Sequence, residues 1–291
     1  MSAPRAAIGL IGGSGLYALA GLADAREIRV STPFGAPSDA IFVGMIGNRP
    51  VAFLARHGRD HRILPGEINY RANVYAMKDL GVSRILSASA VGSMKESIRP
   101  RDVVLPDQFV DRTQQRIATF FGEGVAAHVA LADPVCGETR RILLEAARAA
   151  GATAHDGGTY LCMEGPAFST RAESRLYRSW GVDVIGMTNL TEAKLAREAE
   201  ICYATLALVT DYDCWHEEEE DVSVTGVLEN LRANAALAAA TLRGAVLALP
   251  EERAACGCGD ALAHAIITPQ GAIAPDARER LGVLLDKYLP R

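Results

Sequence analysis

Residues 7–15 read AIGLIGGSG, an apolar run of strand length that passes directly into a cluster of glycines. An apolar run of this length bounded by turn residues is typical of a buried strand. Further apolar runs at 84–90, 159–163, 182–185 and 203–209 alternate with helical patterns at 68–80, 138–150, 190–200 and 222–249. This alternation predicts an α/β fold around a central sheet.

Shorter sequence patterns predict the remaining elements of the fold. Residues 40–45 and 51–55 indicate a hairpin, 102–105 a short strand, and Thr170 with Glu173 a capping box that begins another helix. Residues 250–275 are looser and precede a C-terminal helix at 276–288. Because no repeat or linker divides the chain, we expect a single domain over 1–291, with a central mixed β-sheet flanked by helices and a C-terminal extension from about residue 250.

The composition limits the classes of function that are expected. Hydrophobic residues make up 49% of the chain and charged residues 22%, as in ordinary globular proteins. The formal charge of −5 disfavours a nucleic-acid binder, which usually carries a basic surface. No stretch approaches the roughly 20 apolar residues that a membrane helix needs, and the glycine-interrupted N-terminal residues do not resemble a signal peptide. We therefore expect a cytoplasmic protein without a nucleic-acid or membrane partner.

The six cysteines are expected to be buried thiols, as is usual for cytosolic proteins. A zinc site built on Cys256 and Cys258 would need a second pair of ligands, and the nearest candidate along the chain is the single His264. The sequence therefore predicts no metal. A thiol oxidoreductase is also disfavoured, because the motif is C-x-C rather than C-x-x-C.

The glycine cluster allows two interpretations. Residues 13–18 fit G-x-G-x-x-A, the dinucleotide-binding fingerprint, but the next strand-like run comes at 27–30 and is followed by Ser31 and Thr32 instead of an acid. A Rossmann dehydrogenase is therefore disfavoured. What remains is either an anion site built from backbone N–H groups and the Ser14 hydroxyl, or a tight turn without a ligand.

Several segments at predicted strand ends carry polar or small residues suited to an anionic ligand. They are RHGR at 56–59, SASAVGS at 87–93, MEGPAFST at 163–170, GMT at 186–188 and TDYDCW at 210–215. Together with TPFG at 32–35, PSD at 37–39 and DQFVDRT at 107–113, and in this order, they resemble the 5′-methylthioadenosine phosphorylases. That family is part of the trimeric branch of the purine nucleoside phosphorylases. The resemblance extends from about Ile8 to Leu231.

The resemblance implies a role for each matching residue. Phosphate would be held by Ser14, Arg56, His57, Ser89, the backbone of Ala90, and Thr188. Met187 would cover the ribose, Phe168 would pack on the purine, and Val224 and Val227 would line an apolar pocket for the methylthio group. His128 would reach that pocket from a neighbouring subunit, so a homotrimer or homohexamer is expected. No cofactor is implied.

Asp211 and Asp213 would read the purine edge, with Asp211 as the general acid at N7 and Asp213 as the acceptor from the 6-amino group. If strand geometry continued through them, both side chains would face one side. Two carboxyls close together in a water-poor pocket raise the pKa of one of them. The implied reaction is phosphorolysis of 5′-deoxy-5′-methylthioadenosine to adenine and 5-methylthio-α-D-ribose 1-phosphate.

Competing interpretations remain at this stage. The activity could instead be that of a 6-oxopurine nucleoside or methylthioinosine phosphorylase, or the chain could be a non-catalytic nucleoside-binding module. Residue by residue, Arg56 could form only an ion pair, His57 could be structural, Asp211 could cap a turn, and Val224 and Val227 could be core residues. Ala167 departs from the resemblance, because arginine is common at this position. The resemblance leaves open whether Leu284 and Leu285 of the C-terminal helix contribute to the 5′ pocket. Some archaeal members carry disulfides and a Cys-x-Cys, which implies a bridge between Cys256 and Cys258 and another between Cys136 and Cys202.

Overall fold

A computed structural model describes residues 5–13, 21–217, 222–253 and 256–289. Its strands in chain order are β1 (Ile8–Gly12), β2 (Ala23–Ile28), β3 (Ile41–Ile46), β4 (Arg49–Ala55), β5 (Arg84–Ser93), β6 (Val103–Leu105), β7 (Gln108–Arg112), β8 (Ala154–Asp156), β9 (Thr159–Met163), β10 (Val184–Gly186) and β11 (Cys202–Asp211). Its helices are α1 (Tyr70–Asp79), α2 (Gly137–Ala149), α3 (Arg171–Ser179), α4 (Asn189–Glu198), α5 (Val224–Ala248) and α6 (Pro275–Leu285).

The strands form one mixed sheet, as predicted. β1 lies parallel between β4 and β5, and β3 and β2 continue antiparallel beyond β4. The predicted hairpin is confirmed as β3 and β4. The first strand is buried along its whole length, which explains why its sequence is a continuous apolar run instead of an alternating one.

The strand β5 changes neighbours along its ten residues. It pairs in parallel with β1 on one side and with β11 on the other, and its last residues, Gly92 and Ser93, pair antiparallel with β10. From β10 the sheet continues through β9 to β7, and from β11 it continues through β6 to β8. The carboxyl end of β5 is therefore the point at which the sheet branches.

Two apolar layers hold helices against the sheet. One layer contains residues of α1, α4 and α6, among them Val74, Leu195 and Leu285, and the other contains Leu143 of α2 and Leu242 of α5. Burying one such side chain contributes about 1.5–3 kcal/mol, so these apolar residues hold the helices against both faces of the sheet. The α/β architecture with flanking helices is confirmed.

Local signals set where several helices begin. The predicted capping box is present: the Thr170 hydroxyl accepts a hydrogen bond from the Glu173 N–H, and the Glu173 carboxylate accepts one from the Thr170 N–H. Asn69 caps α1 by accepting from the Ala72 N–H at 3.1 Å. None of the helices within the described ranges is long and apolar enough to cross a membrane.

The C-terminal extension packs on the core of its own chain. Leu284 and Leu285 of α6 are buried there, and neither is among the residues that line the main cavity. Cys136, Cys202, Cys256 and Cys258 are free thiols that lie together, so neither of the two bridges suggested by the resemblance is present.

Candidate functional site

The carboxyl ends of β1, β4, β5, β9, β10 and β11 surround a cavity of about 520 Å³. Ligands of open α/β sheets bind at these ends of the strands, where the chain leaves the sheet in loops. The predicted site residues that line this cavity are Arg56, His57, Ser89, Ala90, Phe168, Met187, Thr188, Asp211, Asp213, Val224 and Val227. Gly13 of the glycine cluster lines it as well.

Two predicted residues are not placed in the cavity. Ser14 lies outside the described residues, so its role stays a prediction. His128 is exposed, its N–H donates to the Ala265 carbonyl at 2.9 Å, and it is absent from the cavity lining of its own chain. A contact with a neighbouring subunit therefore also stays a prediction.

Arg56 follows β4 and is almost completely buried, with 2% of its surface exposed. Its Nε and Nη2 donate to the Glu192 carboxylate, Nη2 also donates to the Ser87 hydroxyl at 2.6 Å, and Nη1 donates to the Ala88 carbonyl at 3.0 Å. Of the five N–H groups of a guanidinium, one on Nη1 remains. Arg56 therefore offers the cavity its charge and a single N–H donor, and its role in holding phosphate stays a prediction.

Glu192, which the sequence analysis did not identify, is the counterion of Arg56. It lies in the first turn of α4, and its Oε2 also accepts from Ser87 at 2.9 Å and from the Tyr203 hydroxyl at 2.8 Å. Burial lowers the pKa of Arg56, but the charge of Glu192 outweighs that effect and raises it above its ordinary value. The sequence offers no distinct signal for Glu192, because the same helix also carries Lys194, Arg197 and Glu198.

His57 is held by its Nδ1, which lies 2.8 Å from the Ile63 carbonyl. Because a carbonyl only accepts, Nδ1 carries the hydrogen, and Nε2 of the neutral ring is an acceptor. Burial, with the charge of Arg56 second, lowers the pKa of His57 to about 4. His57 is therefore neutral near pH 7 and suited to accept a hydrogen bond from a protonated phosphate oxygen.

Thr188 lies at the start of α4, where it lines the cavity. It is the N-cap residue and is buried, and its side chain makes no capping hydrogen bond. The N–H groups of the first helical turn and the helix dipole favour an anion at this position. The neighbouring Ser89 hydroxyl donates to the Asn189 Oδ1, so Ser89 must turn before it can donate to a ligand.

Asp211 and Asp213 form the polar end of the cavity. Asp211 ends β11, and its Oδ1 accepts from the Asp213 N–H at 2.8 Å while its Oδ2 accepts from the Thr210 hydroxyl at 2.7 Å. Asp213 has a φ of +56°, so the expectation that strand geometry continues to this residue is wrong. Both residues line the cavity because the chain turns there, not because strand residues alternate.

The same two carboxyl groups have perturbed acidities. Burial is the largest cause in each case and raises the pKa of Asp211 and of Asp213. Asp213 Oδ2 is buried and makes no hydrogen bond of good geometry to the described residues, although the Ser174 and Ser169 hydroxyls lie close enough to lower the pKa of this carboxyl. A buried oxygen without a partner costs about 1–3 kcal/mol, so this atom favours a ligand that donates to it. Gly92 permits the close packing, because a Cβ there would lie 2.8 Å from Asp211 Oδ1.

The opposite wall of the cavity is apolar and belongs mainly to α5. Val222, Val224, Val227, Leu228 and Leu231 line it, and Val224 is 65% exposed. Val224 and Val227 are therefore not core residues, which removes that alternative interpretation. An apolar wall open to solvent gains stability when an apolar group or a second protein surface covers it.

Arg116 fixes the loops between these walls, and the sequence analysis missed it as well. It donates to the Met187 and Glu164 carbonyls, and also to the Met163 carbonyl at 3.3 Å and the Tyr70 hydroxyl at 3.2 Å. It thereby joins the end of β9 to the segment that follows β10. The Glu164 carboxylate accepts from Arg116 Nε at 3.3 Å, so it is a paired group and not a solvated acid.

This fold and site define a phosphorylase: residues 7–249 match the family model described as the phosphorylase superfamily. The S-methyl-5′-thioadenosine phosphorylases of Koribacter versatilis and Geobacter sulfurreducens are 57% and 58% identical to this chain. The alignments cover 98% and 97% of this chain and 97% and 99% of those proteins, respectively. The chain belongs to the S-methyl-5′-thioadenosine phosphorylase family within that superfamily.

Solved structures agree with this assignment. A methylthioadenosine phosphorylase sourced from an Antarctic soil metagenomic library superimposes with a TM-score of 0.93 at 49% identity, covering 97% of this chain and 100% of that one. The methylthioadenosine phosphorylase from Schistosoma mansoni in complex with adenine superimposes with a TM-score of 0.82 at 39% identity. The match covers 86% of this chain and 93% of that one. The resemblance inferred from short segments is therefore confirmed.

Proposed function

We propose that this chain cleaves 5′-deoxy-5′-methylthioadenosine with inorganic phosphate, releasing adenine and 5-methylthio-α-D-ribose 1-phosphate. One observation carries the proposal: a single cavity combines an apolar wall on α5, the N-terminus of α4, which suits an anion, and the buried Asp213 carboxyl, whose Oδ2 can accept a further hydrogen bond. The three features match the methylthio group, the phosphate and the 6-amino group of this substrate.

Phosphate would lie at the start of α4. The Thr188 hydroxyl, the first amides of the helix, the Ala90 amide and the remaining N–H of Arg56 would donate to it, with Ser14 and Ser89 as further partners. The neutral His57 would accept from a phosphate oxygen that retains its proton. Because Glu192 already neutralises Arg56, the helix N-terminus supplies a large part of the attraction for the anion.

In the reaction, the bond between C1′ and the purine nitrogen breaks, and its electron pair leaves with the base. The sugar becomes oxocarbenium-like, and the phosphate beside it stabilises the positive charge before it bonds to C1′. Asp211, whose pKa is raised by burial, would protonate N7 so that adenine leaves as a neutral molecule. Asp213 would accept from the 6-amino group, while Phe168 and Met187 would cover the purine and the ribose.

We also propose a cytoplasmic homotrimer or homohexamer, in which His128 of one subunit completes the 5′ pocket of the next. Val224 and Leu228 support this, because they are apolar, exposed and at the edge of the cavity. Light scattering combined with activity measurements tests it. An active monomer at the assay concentration would contradict it.

The alternative, a phosphorylase for 6-oxopurines, is disfavoured because O6 is an acceptor and would face the Asp213 carboxylate, which is also an acceptor. The mismatch costs about 1–3 kcal/mol, and more because the carboxylate is charged, so we expect at least about tenfold preference for methylthioadenosine over methylthioinosine. Asp213→Asn should shift the preference toward methylthioinosine, since an amide can donate to O6.

The test is a panel of nucleosides, with and without phosphate, followed by the absorbance of the released base. Base release without phosphate would refute phosphorolysis, and a native enzyme that prefers methylthioinosine would establish the alternative. If Asp211 and Asp213 only cap the turn, substituting either would lower stability without changing the base preference.

A further inference from the structure

Four cysteines from three distant parts of the chain meet beyond the amino-terminal end of β11. Cys136 precedes α2, Cys202 begins β11, and Cys256 and Cys258 belong to the C-terminal extension. All four sulfur atoms lie within 4.8 Å of one another, and those of Cys202 and Cys256 are 3.4 Å apart. The expectation of no metal was based on the lack of a second ligand pair near Cys256 and Cys258, and the fold supplies that pair.

We propose that these four cysteines bind one structural zinc ion as thiolates. In a tetrahedral zinc site with Zn–S distances of about 2.3 Å, the sulfur atoms are about 3.8 Å apart. Small shifts of the four cysteine side chains would bring their sulfur atoms to this spacing. Four protein ligands leave no open position, as in structural sites. Cys136, Cys202 and Cys258 are buried and Cys256 is half-buried, so most of the site is shielded from bulk solvent.

The backbone around the cluster is fixed in a way that suits a metal site. The Cys136 N–H donates to the Tyr203 carbonyl at 2.9 Å, and the Cys202 N–H donates to the Ser83 carbonyl at 3.0 Å. Gly257 has a φ of +70°, a conformation that glycine adopts without strain and that allows the two thiols beside it to face the same point. The ligands are therefore held near one another before any ion binds.

Cations lie beside the cluster. Four thiolates with one Zn²⁺ carry two net negative charges, which a partly buried site must offset. The ammonium of Lys287 donates to the Gly259 carbonyl at 2.7 Å, and the Arg253 guanidinium lies so close to Gly259 that it would overlap a Cβ there. Both groups lie against Gly259, the residue that follows Cys258; Lys287 also pairs with Asp260 at 2.7 Å, so Arg253 would be the main cation to offset the charge of the complex.

The zinc would join the C-terminal extension to the sheet and to α2. It would lie at the opposite end of β11 from Asp211, so its role would be in stability and not in the reaction. Removing it should loosen residues 256–289 and lower the melting temperature, while the folded enzyme keeps its base preference.

The test is the metal content of the full-length protein after dialysis against metal-free buffer. We expect one zinc per chain in the native protein. The Cys256→Ser and Cys202→Ser variants should each retain at most about a tenth of that zinc. Cys162→Ala is the matched control, because Cys162 is a buried cysteine outside the cluster, and it should retain the wild-type content. Replacing zinc with Co²⁺ should give the sulfur-to-cobalt charge-transfer and d–d absorption of a tetrahedral thiolate site.

Two results would overturn the proposal. One is a metal-free protein whose mass lacks two hydrogens for each disulfide among these cysteines. The other is a reduced protein with four alkylatable thiols that takes up neither zinc nor cobalt. If Cys202→Ser fails to fold, the wild-type stoichiometry and the cobalt spectrum still decide between these outcomes.

Discussion

Replacing Glu192 with glutamine tests the buried ion pair at the cavity. Glutamine has nearly the shape of glutamate, so the packing is kept and the charge is lost. Arg56 stays charged, because a guanidinium does not deprotonate in proteins. Removing one partner of a buried pair costs about 3–5 kcal/mol. At about 2–4 °C per kcal/mol, the melting temperature without phosphate should fall by about 6–20 °C.

Phosphate should restore much of that loss. In the variant the anion becomes the main counterion of Arg56, so its affinity should rise. Each tenfold decrease in its dissociation constant adds about 1.4 kcal/mol of stability at a fixed, saturating concentration. Thermal unfolding across a phosphate titration measures both effects. We therefore expect a larger phosphate-dependent increase in melting temperature for Glu192→Gln than for the native protein.

Glu198→Gln is the matched control. Glu198 is buried on the same helix and accepts from the Thr119 hydroxyl and the Phe120 N–H, both at 2.7 Å. Its substitution should lower the melting temperature less and leave the response to phosphate unchanged. If phosphate stabilises Glu192→Gln and the native protein equally, Arg56 does not interact with the anion and the proposed phosphate site is wrong.

Four further outcomes are expected. Because the pKa of His57 is lowered to about 4, the unfolded chain binds its proton more readily below about pH 6.5. Stability therefore falls from that pH toward 4, and His57→Gln should reduce the loss by about 2–3 kcal/mol in urea unfolding. Val227→Asp should lower kcat/KM for methylthioadenosine far more than for adenosine, with Val227→Ala as the milder control; equal losses would contradict an apolar 5′ pocket. If Asp211 is the acid, kcat of the native enzyme should fall as pH rises through its raised pKa, and Asp211→Asn should give a lower, flatter profile. Thr170→Ala should cost about 1 kcal/mol in thermal unfolding without changing kcat, since the cap lies outside the cavity.

Much of the fold could be predicted from the sequence, because buried strands and amphipathic helices have distinct apolar patterns. The strand at Thr159–Met163 has the predicted bounds, and β1, β4 and β11 differ from prediction by one or two residues at an end. The strands β7 and β8 were not predicted, because they are short and carry polar residues. Such strands gain most of their stability from pairing with neighbouring strands, and a single sequence does not reveal which strands pair.

The site was predicted in its residues but not in its contacts. Arg56 was expected to contact phosphate, and its ion pair with Glu192 becomes visible only once α4 packs against β5 and β11. The relation of Asp211 to Asp213 depends on a positive φ at Asp213, which a non-glycine residue rarely adopts. The cysteine cluster joins residues more than fifty positions apart, so its ligand spacing could not be recognised along the chain.

The branching of the sheet at β5 affects how the protein would respond to ligands. Ser89 and Ala90 contact the cavity from a strand that is hydrogen-bonded to β1, β11 and β10. A ligand that restrains β5 would therefore slow the local opening of all three neighbouring strands. Amide hydrogen exchange should record this as protection that extends from the cavity along β1 and β11, well beyond the residues that the ligand touches.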